Sequence, residues 1–322
     1  MNIKEKMTSA IYAGIIGDAL GVPVESSTRQ ELALCSVKNM LGYGRYDQPE
    51  GTWSDDSSLT LCTMESLTCG YDLASIGKNF CNWLFDGHWT STGFVFDAGI
   101  TTFLSLEKIN SAKAWANNSG CTNEDDNGNG ALMRMLPVAL YFHGEDIDIL
   151  LQRIHEISSI THAHPRSKMC CGIYAILVRE LLSGTEKSKA YHETIDKSLE
   201  YYSSNNEFKY ELPNFIRIFS GNIASLPQEQ INSSGYVIDT LEASIWCLMN
   251  HSSTKDILLA AINLGLDTDT TGMVAGSLAG LCYGLDDVPV KWLNSLARKS
   301  EIDDLVSRFT LIVAQRYTTD NQ

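Results

Sequence analysis

Two short acidic clusters concentrate the residue types that do chemistry: Trp53-Ser54-Asp55-Asp56-Ser57 and Asp267-Thr268-Asp269-Thr270. Each crowds carboxylates and hydroxyls at the mouth of an apolar helical stretch, and neither is flanked by Lys or Arg. Carboxylates packed this closely repel one another unless a cation lies between them. Oxygen-only donors favour hard cations such as Mg²⁺, Mn²⁺ or Ca²⁺ over zinc. Taken singly, each cluster can also be an acidic helix cap, with Ser54 or Asp55 capping one helix and Asp267 or Asp269 another. Two such clusters in one chain favour a shared oxygen-lined metal site.

Three further segments carry polar groups in unusual settings. Gly14 to Glu25 places Asp18 and Glu25 in an apolar run whose glycines are too close for a routine surface helix, where each costs about 1 kcal/mol. Something must approach that backbone, either a neighbouring helix or a ligand. Asn127-Gly128-Asn129-Gly130 feeds a helix, and free amides at a helix start suit phosphate, although the spacing is neither the Walker nor the Rossmann pattern. Thr161-His162-Ala163-His164-Pro165 pairs two histidines. No Cys or third His stands at zinc spacing, so these read better as hydrogen-bonding groups than as zinc ligands.

Helical periodicity supplies the elements that must position these groups. Apolar residues recur at three- and four-residue spacing over Ser57–Cys69, Leu132–Phe142, Ile147–Ile160, Lys168–Leu182, Tyr236–Met249, Ile257–Leu264 and Thr271–Tyr283. Val290–Ala297 and Asp303–Gln315 continue the pattern. No run alternates with period two, so the expected fold is all-α, a compact single domain spanning 1–322. Ala116–Gly130 reads as a long exposed loop, and Ser203–Glu207 as a break between helices.

Composition bounds the rest. With 44% hydrophobic and 20% charged residues the chain can build a sizeable core. The net charge of −15 disfavours electrostatic binding to nucleic acid or acidic lipid. Nine scattered cysteines without a C-x-x-C read as reduced thiols, mostly buried, rather than as disulfides or a nucleophile. The N-terminal apolar run is broken by Asp18 and lacks a cleavage site, and no uncharged stretch reaches the length of a membrane span. The expected location is the cytoplasm, with no membrane partner.

Seven segments taken in order resemble the motifs of the ADP-ribosylglycohydrolase family. They are Gly17 to Glu25, Gly51 to Asp56, Asp97 to Thr102, Asn129 to Arg134, Thr161-His162, Gly235 to Leu241 and Gly265 to Thr270. The resemblance implies an all-α enzyme with two Mg²⁺ or Mn²⁺ ions. It implies that Ser54, Asp55, Asp56, Asp267, Asp269 and Thr270 ligate them, and that Glu25 stands near the ions and the distal ribose. Gly128, Asn129, Gly130, His162 and Tyr236 would contact ADP-ribose, the glycine loop holding its diphosphate. Asp97 matches the arginine-specific branch, and Asp56 or Asp97 would assist proton transfer or hold a guanidinium.

The activity implied is metal-dependent release of ADP-ribose from a modified protein side chain, foremost N-linked ADP-ribosyl-arginine. One alternative is O-linked ADP-ribose on serine or a nucleic-acid adduct. Another is a binding protein, such as an immunity factor occluding a toxin's ADP-ribosyltransferase site. The intact acidic clusters argue against lost catalysis. Two departures stand out: Ser57 replaces the usual Thr, and Asp125 and Asp126 place anions beside the expected diphosphate loop.

Overall fold

A computed structural model describes residues 1–318 of the chain. Its fifteen α-helices are α1 (Ile3–Gly21), α2 (Arg29–Leu34), α3 (Asp55–Thr68), α4 (Leu73–Asp86), α5 (Ile100–Asn110), α6 (Leu136–Tyr141), α7 (Ile147–Ser158), α8 (Pro165–Leu182), α9 (Lys187–Ser204), α10 (Ile216–Phe219), α11 (Val237–Asn250), α12 (Thr254–Asn263), α13 (Thr268–Tyr283), α14 (Val290–Asn294) and α15 (Lys299–Thr318). Among the described residues no strand forms, and extended segments make only isolated bridges. The fold is all-α, as the periodicity indicates.

Small residues decide where the centre lies. Every residue of α13 from Thr268 to Leu281 is buried. Its Gly272, Gly276 and Gly280 form a stripe at four-residue spacing that lies directly on the backbone of α1. A Cβ at Gly17 would stand 2.1 Å from the Gly272 carbonyl oxygen, and one at Gly276 would stand 2.4 Å from that of Ala13. The closely spaced glycines of α1 therefore serve a neighbouring helix. α8, α11, α12 and α3 complete the packing around α13. The span Ile3–Val24 is long and apolar enough to cross a membrane, yet 83% of its apolar window is buried in the protein, so that apolarity serves the core.

The segment before α3 is held in place by local chemistry that explains its Gly-x-Trp pattern. Gly51 adopts φ +85°, and a Cβ there would stand 1.8 Å from the Ser295 carbonyl oxygen. Its own carbonyl accepts from the Ala297 amide at 2.9 Å, and the fully buried Trp53 donates its indole N–H to the Ala297 carbonyl at 2.9 Å. The start of α3 is thus fastened to the turn before α15.

Three expectations need correction. The predicted helix Leu132–Phe142 is a 3-10 turn, Leu132–Arg134, followed by α6, which carries Pro137 in its first turn. The stretch Ala116–Gly130 is not simply exposed, because Ala116, Ser119, Asn127 and Asn129 are buried and Glu124–Asp126 forms a 3-10 turn. The periodicity also passes over α1, α2, α4, α5, α9 and α10. In α9 the buried face includes Thr194 and Ser198 beside Ile195 and Tyr202, a stripe too polar to announce itself.

Candidate active site

The N-termini of α3, α5 and α13 converge on one cleft of about 230 Å³. Ser54 is the N-cap of α3, its Oγ accepting from the Asp56 amide at 3.3 Å, so Asp55 and Asp56 are not needed as caps. Asp267 occupies the N-cap position of α13 but makes no side-chain capping bond. Its carboxylate instead accepts from Asn129 Nδ2 at 2.9 Å. The capping alternative therefore accounts for Ser54 and for none of the four aspartates.

The two clusters meet. Thr270 Oγ1 donates to Asp56 Oδ1 at 3.2 Å across 214 residues of sequence. Carboxylate oxygens of Glu25, Asp97 and Asp269 lie within 4.8 Å of one another, as do those of Asp18, Asp56 and Asp269. Glu25, Asp55, Asp97, Asp267, Asp269 and Thr270 line the cleft. Ser54 and Asp56 are buried against its floor, where Asp56 is also 3.4 Å from Ser54 Oγ.

Asp18 was not singled out as a site residue, yet it organises this floor. Fully buried on α1, it accepts from the Ser54 amide at 2.9 Å, the Ser57 amide at 3.0 Å and Ser57 Oγ at 2.5 Å. Ser57 thus binds Asp18 through both its amide and its hydroxyl. In the sequence Asp18 stands as a carboxylate inside an apolar, glycine-rich run and as the second residue of the segment Gly17 to Glu25.

Among the described residues no Lys or Arg lines the cleft, and Arg45 offsets only part of the charge of Glu25 and Asp97. Burial, reinforced by the neighbouring carboxylates, holds the Asp55, Asp56 and Asp269 carboxyls well above the usual range. Glu25 is pushed up to about 7 by burial first, with the Tyr46 hydroxyl opposing and Asp97 and Asp267 adding to the rise. Glu25 Oε2 is buried without a hydrogen-bond partner. An all-oxygen donor set with an orphaned carboxylate oxygen fits a hard divalent cation. A second acid–histidine group, Glu124, His164 and Glu211, is filled by a protein cation instead: Arg166 lies 2.5 Å from Glu124 and 2.8 Å from Glu211.

The raised carboxyls give a signed pH dependence. Between the unfolded value near about 4 and the raised folded value, the folded metal-free protein holds more protons than the unfolded chain. Metal-free stability from these groups therefore falls as pH rises through that window. Cation binding, which needs ionised carboxylates, is favoured in the same direction. The rise in melting temperature on adding Mg²⁺ should be larger at about pH 8 than at about pH 5.5; thermal denaturation at both pH values measures it, and equal rises would contradict the arrangement.

Hydrogen-bond donors line the same cleft. Asn129 Nδ2 bridges Thr240 Oγ1 and Asp267 Oδ2, both at 2.9 Å, and its amide donates to the Gly235 carbonyl at 3.0 Å. His162 is buried, and burial lowers its pKa to about 3, so it is neutral. Buried Arg134 donates to the Gly130 carbonyl at 2.7 Å and to Thr161 Oγ1 at 2.7 Å. The Thr161 hydroxyl proton is thereby left to donate to His162 Nδ1 at 2.7 Å, which assigns the ring proton to Nε2. That N–H faces the glycine loop, since a Cβ at Gly130 would stand 3.4 Å from Nε2.

Gly128, Asn129, Gly130 and His162 line the cleft. Tyr236 is placed apart: its backbone bridges to Gly128, but its hydroxyl accepts from Arg166 at 3.2 Å and its side chain lines a neighbouring depression. Asp125 is exposed and Asp126 caps its own turn, accepting from the Asn123 amide at 2.8 Å. Neither carboxylate lines the cleft. His164 caps α8 through Nδ1, a structural role.

A family model described as ADP-ribosylglycohydrolase matches residues 1–321. The chain is 29% identical over 310 residues to ADP-ribosylarginine hydrolase Tri1 of Serratia proteamaculans, covering 94% of this chain and 78% of that protein. It is 30% identical over 304 residues to ADP-ribosyl-[dinitrogen reductase] glycohydrolase of Rhodospirillum rubrum, covering 93% of each. A solved ADP-ribosylglycohydrolase-related protein complex contains a chain that superposes with a TM-score of 0.80 at 27% identity, over 97% of this chain and 99% of that one.

Proposed function

This chain belongs to the ADP-ribosylglycohydrolase family and is a glycohydrolase, and on that footing we propose that it releases ADP-ribose from N-linked ADP-ribosyl-arginine on proteins. The observation that carries the reading is the junction of the two acidic clusters in one cleft that also presents the Asn129–Gly130 loop and His162. One end suits cations and the other suits anions, as a ribose bearing both a diphosphate and an arginine requires. Two relatives named for ADP-ribosylarginine and for ADP-ribosyl-dinitrogen reductase support the same substrate class.

Asp55, Asp267, Asp269 and Thr270, with Ser54 and Asp56 beneath, would hold two Mg²⁺ or Mn²⁺ ions. Bound there, such cations stabilise negative charge developing on oxygen and orient ribose hydroxyls. Asp97 shares the cleft with Glu25 and is close to Tyr46. It is the carboxylate placed to hold a guanidinium; the departing nitrogen keeps the bonding pair and leaves as a neutral guanidine, which then takes up the proton released by the attacking water. Glu25, with one orphaned oxygen and a carboxyl pushed up to about 7, is suited to take a proton from the attacking water. Asp56 has both oxygens engaged by hydroxyls, which suits a ligand better than a proton carrier.

The test is a panel of linkages: ADP-ribosyl-arginine, ADP-ribosyl-serine and ADP-ribosylated nucleic acid, each with and without EDTA, with free ADP-ribose as the readout. The expected result is release from arginine that chelation abolishes and added Mg²⁺ or Mn²⁺ restores. Release confined to serine or nucleic acid would overturn the linkage. Release that survives exhaustive chelation would overturn the metal role.

A further inference from the structure

The outward face of α5 is apolar where an exposed helix face is ordinarily polar. Ile100, Phe103 and Leu104 stand at i, i+3 and i+4, the spacing that puts residues on one face. They are 79%, 44% and 43% exposed. The residues of this helix turned into the protein are Thr102, Ser105 and Leu106, and Ser105 is held there by its bond to the Thr161 carbonyl at 3.0 Å. The first turns of α5 are therefore inverted, with two hydroxyl-bearing residues inward and three large apolar residues outward. Single exposed apolar residues are common, whereas a contiguous row of them marks a contact surface.

This row begins at the cleft. Ile100 lines it, as does Asp97 three residues earlier, and Asp97 is the carboxylate assigned above to the guanidinium. In an ADP-ribosylated arginine the guanidinium lies between the sugar and the polypeptide. A chain whose guanidinium sits at Asp97 therefore continues outward past the start of α5. From Ile100 to Leu104 the helix advances about 6 Å, the reach of roughly two residues of extended peptide. The row ends at exposed Glu107, on the same face one turn further along. That carboxylate and the net charge of −15 disfavour a phosphate backbone as the occupant.

We propose that Ile100, Phe103 and Leu104 form a docking surface for the polypeptide that carries the modified arginine, and that this surface takes apolar side chains flanking that arginine. The occupant follows from continuity with the cleft. Whatever bears the ADP-ribosyl group is brought against this face when its side chain enters. The acid at the mouth then selects the arginine, and the apolar row selects the neighbours of that arginine. Contacts on the row add binding energy away from the reacting atoms, so they act on substrate affinity and leave the chemical step alone. This inference rests on the reading that the substrate is ADP-ribosyl-arginine on a protein.

The experiment uses the full chain with Mg²⁺ and Mn²⁺ and three substrates: a peptide whose ADP-ribosyl-arginine has two leucines on each side, the same peptide with serines in their place, and free ADP-ribosyl-arginine. Wild type is compared with the double variant Phe103→Gln with Leu104→Gln, glutamine being a good helix former, and with Phe103→Leu with Leu104→Met, which keeps the face apolar. Ile100 is left unchanged because it lines the cleft. Wild type should favour the leucine peptide about tenfold in kcat/KM, chiefly through KM. The glutamine variant should turn over the two peptides within about twofold of each other. It should hydrolyse free ADP-ribosyl-arginine at the wild-type rate and keep its melting temperature, and the Leu–Met variant should retain the preference. Equal wild-type rates on both peptides, a leucine preference that survives in the glutamine variant, or an equal loss on all three substrates would overturn the docking surface. So would a wild-type dimer in sedimentation velocity that the glutamine variant converts to monomer, since the face would then belong to a second copy. Should wild type release ADP-ribose from none of the three, the functional reading fails and the docking surface with it; turnover of free ADP-ribosyl-arginine without a peptide preference overturns the docking surface alone.

Discussion

Asp269→Asn should abolish hydrolysis while raising the melting temperature of the metal-free protein. Asp269 is buried and is the one carboxylate common to both groups of converging acids, that with Glu25 and Asp97 and that with Asp18 and Asp56. Losing its charge removes one of the proposed cation ligands, so the expected loss is about 10³-fold or more in kcat/KM. Its effect on folding has the opposite sign. Burial and four neighbouring acids oppose the Asp269 anion in the free protein, and a neutral isostere relieves that repulsion by about 1–2 kcal/mol. The Asn oxygen can still accept from the Thr270 amide, which bonds Asp269 Oδ1 at 3.0 Å. Denaturation without metal, denaturation with Mg²⁺ and steady-state hydrolysis together check the pattern. The variant should start higher and gain little from Mg²⁺. Activity within tenfold of wild type, or a lower metal-free melting temperature, would show that Asp269 supports the fold rather than a cation.

That trade between stability and function explains which parts of the site could be read from sequence. Asp55, Asp56, Asp267 and Asp269 were legible because the clusters violate a local rule: they gather like charges where a cap needs only one polar group. Their meeting was not legible, since the Thr270–Asp56 bond spans 214 residues. Asp18 was visible as an oddity in an apolar helix, but its role depends on where the Ser54 and Ser57 amides point, which only the docking of α3 against α1 decides. Thr102 and Arg134 close two of the segments that carry the resemblance, but residue type and spacing alone gave neither a role. A threonine in the first turn of a helix is ordinary until its hydroxyl is found buried and unpaired. Arg134 looked like any helix arginine, yet it is buried, stacks 4.6 Å over Phe80 and holds both the Gly130 carbonyl and Thr161. The fold class followed from periodicity, whereas α1 was obscured by glycines whose purpose is contact with α13.

Those glycines give the second large effect. Gly21→Ala should lose both stability and activity, and Gly276→Ala should lose stability alone. A Cβ at Gly21 would stand 2.3 Å from the Asp269 amide nitrogen, 2.4 Å from its Cα and 2.5 Å from the Thr268 carbonyl carbon. All three are backbone atoms, so no side-chain rotation relieves the clash, and the start of α13 must move. Overpacking of this kind costs about 1–3 kcal/mol. The same displacement carries Asp269 away from Glu25 and Asp56, and misplacement of about 1 Å in such a site costs about a hundredfold in rate. Gly276 makes an equally tight contact, 2.4 Å to the Ala13 carbonyl oxygen, but lies two turns further along α13. Its substitution strains the same helix pair far from the carboxylates. Rates measured well below both melting temperatures separate the two variants, because a purely structural role for Gly21 predicts that they lose equal stability and retain equal activity. A Gly21→Ala protein that is destabilised yet fully active at low temperature would mean that α13 can yield without moving Asp269. The close helix contact would then be part of the core and no part of the site. The opposite outcome would make the α1–α13 backbone contact the element that sets the spacing of the acids, with the absence of a side chain at Gly21 acting as a determinant of metal geometry.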